Sequence, residues 1–154
     1  MTQFLKNNAQ AIGVSPDVIK RSYNPELIKS ELTDAEPLKI AVYVSDSDPD
    51  EVETQAVIGK KVTVSVAIVK KLKSTEPEEL DAVAELFENL QNLLVETQQL
   101  KGEGEQYYQL LTQETGTYCN LEALRDAKVA LFIIHQELQT YASADFQCVS
   151  TVQK

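Results

Sequence analysis

Two segments of the chain alternate apolar and polar residues. Residues 38–44 have an aliphatic side chain at every second position, and residues 62–69 repeat this alternation. A period of two predicts β-strands that bury one face, which is typical of antiparallel sheets. We therefore expect an antiparallel pair of strands, 38–44 with 62–69. A polar loop at 45–51 begins the connection between them.

The segment after the second strand has a helical period instead. Its apolar residues recur at spacings of three and four and form one stripe: Leu80, Val83, Phe87, Leu90 and Leu94. Thr75 followed by Glu78 fits a capping box with Thr75 as the N-cap residue. Pro77 is tolerated in a first helical turn, where acidic residues also favour the helix dipole. The pattern predicts a helix over about residues 77–97.

The first part of the chain has weaker signals. Residues 2–12 place a few apolar side chains loosely on one side, which indicates a short helix. Residues 18–23 alternate enough for a short strand, and Asn24-Pro25 then turns the chain. Residues 25–32 fit one or two helical turns. We expect these short elements to precede the strand pair.

Residues 98–117 are polar and contain Gly102, Gly104 and Gly116. Polar stretches with glycines are typical of loops. We therefore expect a mobile loop here, with room for a short helical turn at 107–111.

The last apolar region has two interpretations. Residues 121–139 fit a helical stripe, yet residues 129–136 also fit a strand, and periodicity alone does not separate the two. The β-branched and aromatic residues of 129–136, and the need for a central partner in the sheet, favour a helical turn at 121–126 followed by a strand. Residues 146–152 fit a further strand or a tail.

Length and composition indicate one globular domain. The chain has 154 residues, of which 43% are hydrophobic and 25% charged, and these values are ordinary. The apolar runs are too short for a transmembrane helix, and the first residues lack the pattern of a signal peptide. Two cysteines, Cys119 and Cys148, cannot form a disulfide framework. We expect four parts within the domain: a short segment at 1–17, strands and the main helix at 18–97, the loop at 98–120, and C-terminal strands at 121–154.

The net charge of −10 is concentrated in one part of the sequence. Residues 1–40 and 41–73 each carry five basic and five acidic groups, whereas residues 74–154 carry four basic and fourteen acidic groups. A general nucleic-acid binder needs lysine and arginine to neutralise phosphates, so this class is disfavoured. The acidic excess is either a solvated helix face that favours solubility or a surface that repels a polyanion or attracts a basic partner.

The polar loop after the first strand contains a partial calcium motif. Asp46, Asp48 and Asp50 have D-x-D-x-D spacing. An EF-hand loop then needs glycine at its sixth position and glutamate at its twelfth, where this chain has Glu51 and Val57. Because the segment also joins strands, we expect a solvated hairpin loop and no metal site.

The sequence contains no recognisable catalytic or cofactor motif. The single histidine, His135, lies in an apolar run, where a structural role is the simpler interpretation. Cys119 and Cys148 lack the spacing of metal ligands, and glycine-rich phosphate loops and nucleophile elbows do not occur. We expect neither an enzyme nor a cofactor. A small hydrolase with two paired carboxylates is the competing class, although no pair stands out.

Lysines flank the second strand. Lys60 and Lys61 precede it, and Lys70, Lys71 and Lys73 follow its end. Such lysines protect a sheet against edge pairing and favour solubility. The alternative is a basic contact strip that faces the acidic helical half of a neighbouring subunit, because head-to-tail contacts close into rings when the rotation allows.

A larger pattern spans most of the chain, and its first two parts lie around the strand pair. The first is R-x-Y-x-P at 21–25, which leads into the strand at 38–44. The second is the alternating strand that ends in Lys70-Lys71, followed by the acidic helix start S-T-E-P-E-E-L-D at 74–81.

The third part is L-R at 124–125 before the strand at 129–136. In this order, over about residues 18–136, the chain resembles small phage proteins of the head–tail junction, of the tail-terminator type. None of the matched motifs is catalytic, so the resemblance transfers no functional residue to this chain.

The resemblance implies an α+β fold, in which a small twisted antiparallel sheet has one long helix packed on a face. It also implies a structural virion protein that forms a homo-oligomeric ring, commonly a hexamer, at the end of the tail tube. Such a ring closes the tube and joins it to the head-side connector or stopper protein, while genome DNA passes through without specific binding. The implied location is the virion, after assembly in the host cytoplasm, as a tail terminator, a head-completion protein or a neck protein between them.

Two sets of residues become candidates for contacts. Carboxylates that line a channel would repel DNA phosphates, so Glu103 and Glu105 of the expected loop are candidates for facing the DNA.

The competing function is a cytoplasmic acidic adaptor that binds a basic protein and does not assemble by itself. Candidate contacts between subunits or partners are the lysines around the second strand and the acids of the helix start: Lys60, Lys61, Lys70, Lys71, Lys73, Glu78, Asp81 and Glu85.

Overall fold

The computed structural model of the protein describes residues 1–22, 31–49, 60–74, 76–96, 99–101 and 106–142. Its α-helices are α1 (Thr2–Asn7), α2 (Pro77–Glu96) and α3 (Leu121–Ala127). Two 3-10 turns, Ala9–Ile12 and Pro16–Val18, follow α1. The strands are β1 (Ile19–Arg21), β2 (Leu38–Pro49), β3 (Lys60–Lys71), β4 (Gln99–Lys101), β5 (Gln106–Thr117) and β6 (Val129–Ala142).

These strands form one sheet in the order β1-β2-β3-β6-β5-β4. The four long strands and β4 pair antiparallel with their neighbours. Strand β1 pairs with β2 in parallel, with Ile19 opposite Ile40 and Arg21 opposite Val42. The expected α+β fold with one long helix is therefore confirmed, and a parallel edge strand makes its sheet mixed.

The long helix α2 covers one face of the sheet. The stripe predicted from its sequence is buried at Val83, Phe87, Leu90 and Leu94. It packs in one apolar cluster with inward side chains of β2, β3 and β6. The rings of Phe87 and Phe132 lie 5.0 Å apart between centroids. Full burial of an aliphatic or aromatic side chain of this size contributes about 1.5–3 kcal/mol, so this face holds the main core.

The N-terminal segment packs at the margin of the same core. Leu5, Ala9 and Ile12 are buried in the cluster that contains α2. Gly13 ends the first 3-10 turn with φ of 77°, a left-handed conformation that glycine adopts without steric cost. The helix expected over residues 2–12 is thus confirmed as α1 followed by this turn. Strand β1 likewise confirms the short strand expected at 18–23.

The opposite face of the sheet has a smaller apolar cluster. Leu32 from the stretch before β2 packs against it, with Tyr43 and Ile133 at its border. The small side chains Ala41 and Ala67 lie opposite each other on β2 and β3 and are fully buried. The centre of β3 is therefore buried on both faces, which makes it the middle of the fold.

Most of the polar stretch 98–117 is not the mobile loop that the sequence suggested: residues 99–101 form β4 and residues 106–117 form β5, so the expected helical turn at 107–111 was also wrong. Residues 98 and 102–105 lie outside the described residues. Strand β5 lies near the margin of the sheet and pairs with β6 along its length. Marginal strands tolerate polar side chains because backbone hydrogen bonds hold them in place. Strand β5 consequently lacks the alternation of apolar residues by which strands are predicted from sequence.

Strand β2 is also longer than predicted. Its pairing with β3 continues through a bulge after Val44 to Pro49, which lies opposite Lys60. Residues 45–49, expected as a loop, are therefore strand, since main-chain pairing needs no apolar side chains here. The helical turn before a strand at 129–136 is confirmed by α3 and β6. The elements expected at 25–32 and 146–152 fall almost wholly or wholly outside the described residues.

Candidate functional site

A row of polar side chains crosses the sheet on the face opposite α2. Tyr43 on β2 lies opposite Ser65 on β3, and Ser65 lies opposite His135 on β6. Ser65 Oγ is 2.6 Å from His135 Nδ1, and the Tyr43 side chain also hydrogen-bonds Ser65. Burial raises the pKa of Tyr43, and the hydrogen bond to Ser65 opposes part of that rise. The row links three adjacent strands by side-chain hydrogen bonds.

The imidazole of His135 is packed against the backbone of Gly116. Gly116 lies at a register shift of β5, between Thr115 and Thr117. A Cβ atom at this position would lie 2.2 Å from His135 Nε2, far inside van der Waals contact. Glycine within a strand commonly marks such a close approach. The sequence pattern had assigned Gly116 to a loop.

The Ser65–His135 pair has the composition of a nucleophile and its base. Ser65, however, has no exposed surface and lies in the middle of a strand that is paired on both sides. A substrate has no path to Ser65 Oγ in this arrangement. The geometry therefore supports a packing role for the pair, in line with the structural role that the sequence favours for His135.

The start of α2 is stabilised by Glu79. Glu79 Oε1 accepts a hydrogen bond from the Lys73 backbone N–H at 2.9 Å, and Oε2 accepts from the Ser74 backbone N–H at 3.0 Å and from Ser74 Oγ at 3.1 Å. The bond from Lys73, followed by those from Ser74, lowers the pKa of the Glu79 carboxyl. Glu78, the expected partner of a capping box, is exposed, and Thr75 lies outside the described residues.

Two lysines of β3 have ion-pair partners within the chain. Lys61 Nζ lies 3.0 Å from Glu137 Oε1 on the neighbouring strand β6. Lys71 Nζ lies 3.2 Å from Asp34 Oδ1 in the stretch before β2. Both pairs are solvent-exposed to a large extent, and pairs of this kind contribute about 0–1 kcal/mol.

The lysine positions do not form one strip. Lys61 lies near the beginning of β3, whereas Lys70 and Lys71 lie at its end, and Lys73 is exposed just beyond. At a rise of about 3.4 Å per residue, the two groups are roughly 30 Å apart. Lys70 is close enough to Glu79 to help lower the pKa of that carboxyl. The side chain of Lys60 lies outside the described residues.

The acids of α2 do form one surface. Glu78, Asp81 and Glu85 are exposed at spacings of three and four, and Glu88 continues the same stripe. This stripe lies on the side of α2 away from the buried residues, on the outside of the molecule. Glu103 and Glu105, the candidates for facing DNA, lie outside the described residues.

The two margins of the sheet are covered only in part. Strand β1 pairs with residues 40–42 of β2, and β4 pairs with residues 107–109 of β5. Among the described residues, no strand pairs with the outer edge of β2 at 43–49 or of β5 at 110–117. Edge strands offer N–H and C=O groups for pairing with another chain. The sequence pattern showed neither edge, because it placed residues 45–49 and 110–117 in loops.

A glutamine cluster ties α2 to the sheet and was not foreseen. Gln136 on β6 is buried, and its Nε2 donates to Gln113 Oε1 at 2.7 Å and to the Leu94 carbonyl at 3.3 Å. Gln113 Nε2 in turn donates to the Gln91 carbonyl at 3.0 Å. Within the described part of the chain, Gln136 Oε1 has no hydrogen-bond partner. The only sequence signal was a polar residue at an inward position of an apolar strand.

Metal ligands and reactive thiols are the two remaining kinds of candidate site in the described residues. No group of histidine, cysteine, aspartate and glutamate side chains among them is arranged to hold a metal ion. The side chains of Asp46 and Asp48 are not described, and neither are Asp50 and Cys148. Cys119 is a free thiol, and burial raises its pKa, which disfavours the reactive thiolate.

Comparisons with known proteins add no family assignment. No helix in the described ranges is long and apolar enough to cross a membrane. No protein-family model matches the sequence, and none of the curated proteins matches it significantly.

Proposed function

We propose that this protein is a structural virion protein that forms a ring at the phage head–tail junction, closes the tail tube and joins it to the head-side connector. The observation that carries the proposal is the sheet below one long helix, in which β2 and β5 each lack a neighbouring strand over part of their length among the described residues. A ring subunit must contact its neighbours through two different surfaces. The resemblance in sequence over residues 18–136 supports the same role, which requires no catalytic chemistry.

The distribution of charge also supports this proposal. The exposed carboxylates of α2 and the net charge of −10 disfavour adhesion to DNA phosphates. A protein that surrounds sliding DNA needs this property. Glu103 and Glu105 remain the candidates for facing the channel of the proposed ring. Replacing both with glutamine is expected to leave tube closure unchanged and to slow DNA passage, measured as the rate of genome ejection from assembled particles.

The direct test of the proposed role is an assay of tube growth. Tail tube protein from the same source is polymerised with and without this chain, and tube lengths are measured by electron microscopy. The proposal predicts shorter tubes with extra density at one end. An acidic protein of similar size serves as the control for nonspecific charge effects. Equal tube lengths in all three samples, with bare ends, would contradict the proposal.

A cytoplasmic acidic adaptor is the second candidate. The exposed stripe of Glu78, Asp81 and Glu85 on α2 favours it, because such a surface attracts basic proteins. The adaptor hypothesis predicts a chain that ignores tail tubes and binds a basic protein in a salt-dependent manner. Neutralising all three acids should then abolish that binding.

A further inference from the structure

Two stretches at the sheet margins, 43–49 of β2 and 110–117 of β5, have no neighbouring strand among the described residues and are called uncovered in this sense; they lie at opposite corners. Tyr43, Ser65, His135 and Glu114 occupy one row across the four long strands. Strand β1 pairs on one side of this row, toward the carboxyl end of β3, and β4 pairs on the other side, toward its amino end. On the β2 margin the uncovered part therefore lies toward the amino end of β3, and on the β5 margin it lies toward the carboxyl end of β3.

The two uncovered stretches are complementary in direction and length. Strand β2 is antiparallel to β3, β3 to β6, and β6 to β5, so β2 and β5 are antiparallel to each other. Two copies in the same orientation can thus place the β2 edge of one beside the β5 edge of the next as an antiparallel pair. The stretches 43–49 and 110–117 have similar lengths.

A small shift fits the two margins together. Displacing the second copy by about two residues, roughly 7 Å along the strands, brings its uncovered β5 stretch opposite the uncovered β2 stretch of the first. Strand β4 of the second copy then lies beyond the end of β2, and β1 of the first copy lies beyond the end of β5. A repeated shift tilts the strands against the ring axis, as closure of a continuous sheet requires.

One exposed apolar side chain on each stretch favours pairing. Val44 is 55% exposed and Leu111 is 39% exposed, and they lie on the two uncovered edges. Residues 110–117 contain neither lysine nor proline, which natural edge strands commonly use against pairing. The β2 stretch has a proline only at its end, Pro49, and register shifts follow Val44 in β2 and Leu110 and Thr115 in β5. The same contact, repeated between successive copies, covers both apolar side chains. The offset between the uncovered stretches of β2 and β5 also lets one copy fit against the next.

We propose that copies of this protein assemble head to tail, with the β2 edge of one copy (residues 43–49) paired antiparallel to the β5 edge of the next (residues 110–117). This inference rests on the proposed function in so far as it describes how the ring closes.

Two edge variants and one control test the inference. Val44→Lys places a charge on the β2 edge, and Leu111→Lys places one on the β5 edge; both sites are exposed, so the monomer should fold. Val95→Lys in the last turn of α2 is the control, since Val95 is 45% exposed and lies on neither edge. Native mass is measured over a concentration series, alone and after binding to tail tubes.

The mixture of the two edge variants gives the sharpest result. Each variant alone should stay monomeric at concentrations where the unchanged chain assembles, because every copy has one blocked edge. Mixed together, they should form a dimer and nothing larger, since one β2 edge and one β5 edge remain usable. The Val95→Lys protein should assemble like the unchanged chain, and amides of 110–117 should gain protection from hydrogen exchange on assembly.

Several results would overturn the inference. If the edge variants assemble like the control, the edge-pairing inference is wrong, although the proposed ring function is unaffected. A dimer formed by Val44→Lys alone would show symmetric pairing of two β5 edges instead. An unchanged chain that stays monomeric in every sample would contradict both proposals. Edge-dependent assembly that never joins tail tubes would contradict only the function.

Discussion

The two faces of the sheet are stabilised in different ways. The face under α2 is apolar and contains the Phe87–Phe132 contact at 5.0 Å. The opposite face contains the hydrogen-bonded row of Tyr43, Ser65 and His135. Apolar burial is nondirectional and contributes most of the folding free energy, whereas hydrogen bonds depend on geometry. The comparison indicates that the first face, with the larger apolar cluster, contributes more to stability, and that the polar row adds directional contacts between strands to the smaller cluster of the second face.

The largest expected effect is the loss of the helix-face core. Phe87→Ala removes a buried ring that also meets Tyr118 at 5.6 Å between centroids. We expect the free energy of unfolding to fall by about 3–5 kcal/mol, measured by denaturant unfolding. Val95→Ala on the exposed side of the same helix is the matched control, with a change within about 0.5 kcal/mol. Equal effects would show that α2 does not pack as described.

A smaller effect is expected on the opposite face from Gly116→Ala. The new methyl group would collide with the His135 ring, so β5 or the ring must shift at a cost of about 1–3 kcal/mol. His135→Ala in the same chain should relieve the collision. A double-mutant cycle therefore measures a coupling between the two sites. Additive effects would indicate that His135 does not lie against Gly116.

The polar row is tested by Ser65→Ala. This change removes the hydrogen bonds to His135 and Tyr43, and we expect the free energy of unfolding to fall by about 0.5–1.5 kcal/mol. The hydrogen bond to Ser65 lowers the pKa of Tyr43 against the effect of burial. The pKa of Tyr43 should consequently rise further in the variant, as followed by NMR titration. An unchanged pKa would mean that the two side chains do not interact.

The smallest effect concerns the pH dependence at the start of α2. The folded-state pKa of Glu79 is lowered by its hydrogen bonds. Its carboxylate therefore stabilises the fold above the ordinary pKa of about 4.3, and this contribution disappears as the pH falls through the lowered value. Glu79→Gln should flatten the fall in stability with acidification in that range, and Glu78→Gln, which removes none of these hydrogen bonds, is the matched control. Matching profiles for the two variants would exclude the assigned hydrogen bonds.

The contrast between faces also explains what could be predicted from the sequence. The alternation of β3 and the stripe of α2 are apolar signals, because these elements bury side chains in the core. Strand β5 gives no such signal, since it lies at the margin and its residues Gln113 and Thr115 are polar. Its position results from pairing with β6, a contact between residues distant in sequence. Marginal strands of this type are recognised only once the neighbouring strand is placed.

The candidate site was less predictable than the fold, for the same physical reason. The lysines and acids were found by residue type, but type does not reveal that Lys61 pairs with Glu137 or that Lys71 pairs with Asp34. The two sheet edges are properties of backbone pairing and have no characteristic residue. Gln136 is a further example, because its residue type does not reveal that its buried side chain on β6 contacts both α2 and β5.

The central claim is that the chain acts as a ring on the tail tube. The most direct measurement is the native mass of the protein, alone and mixed with tail tubes from the same source. The account predicts a defined ring, or a monomer that joins tube ends as a ring with one fixed number of copies. A monomer that ignores tubes at every concentration would contradict it.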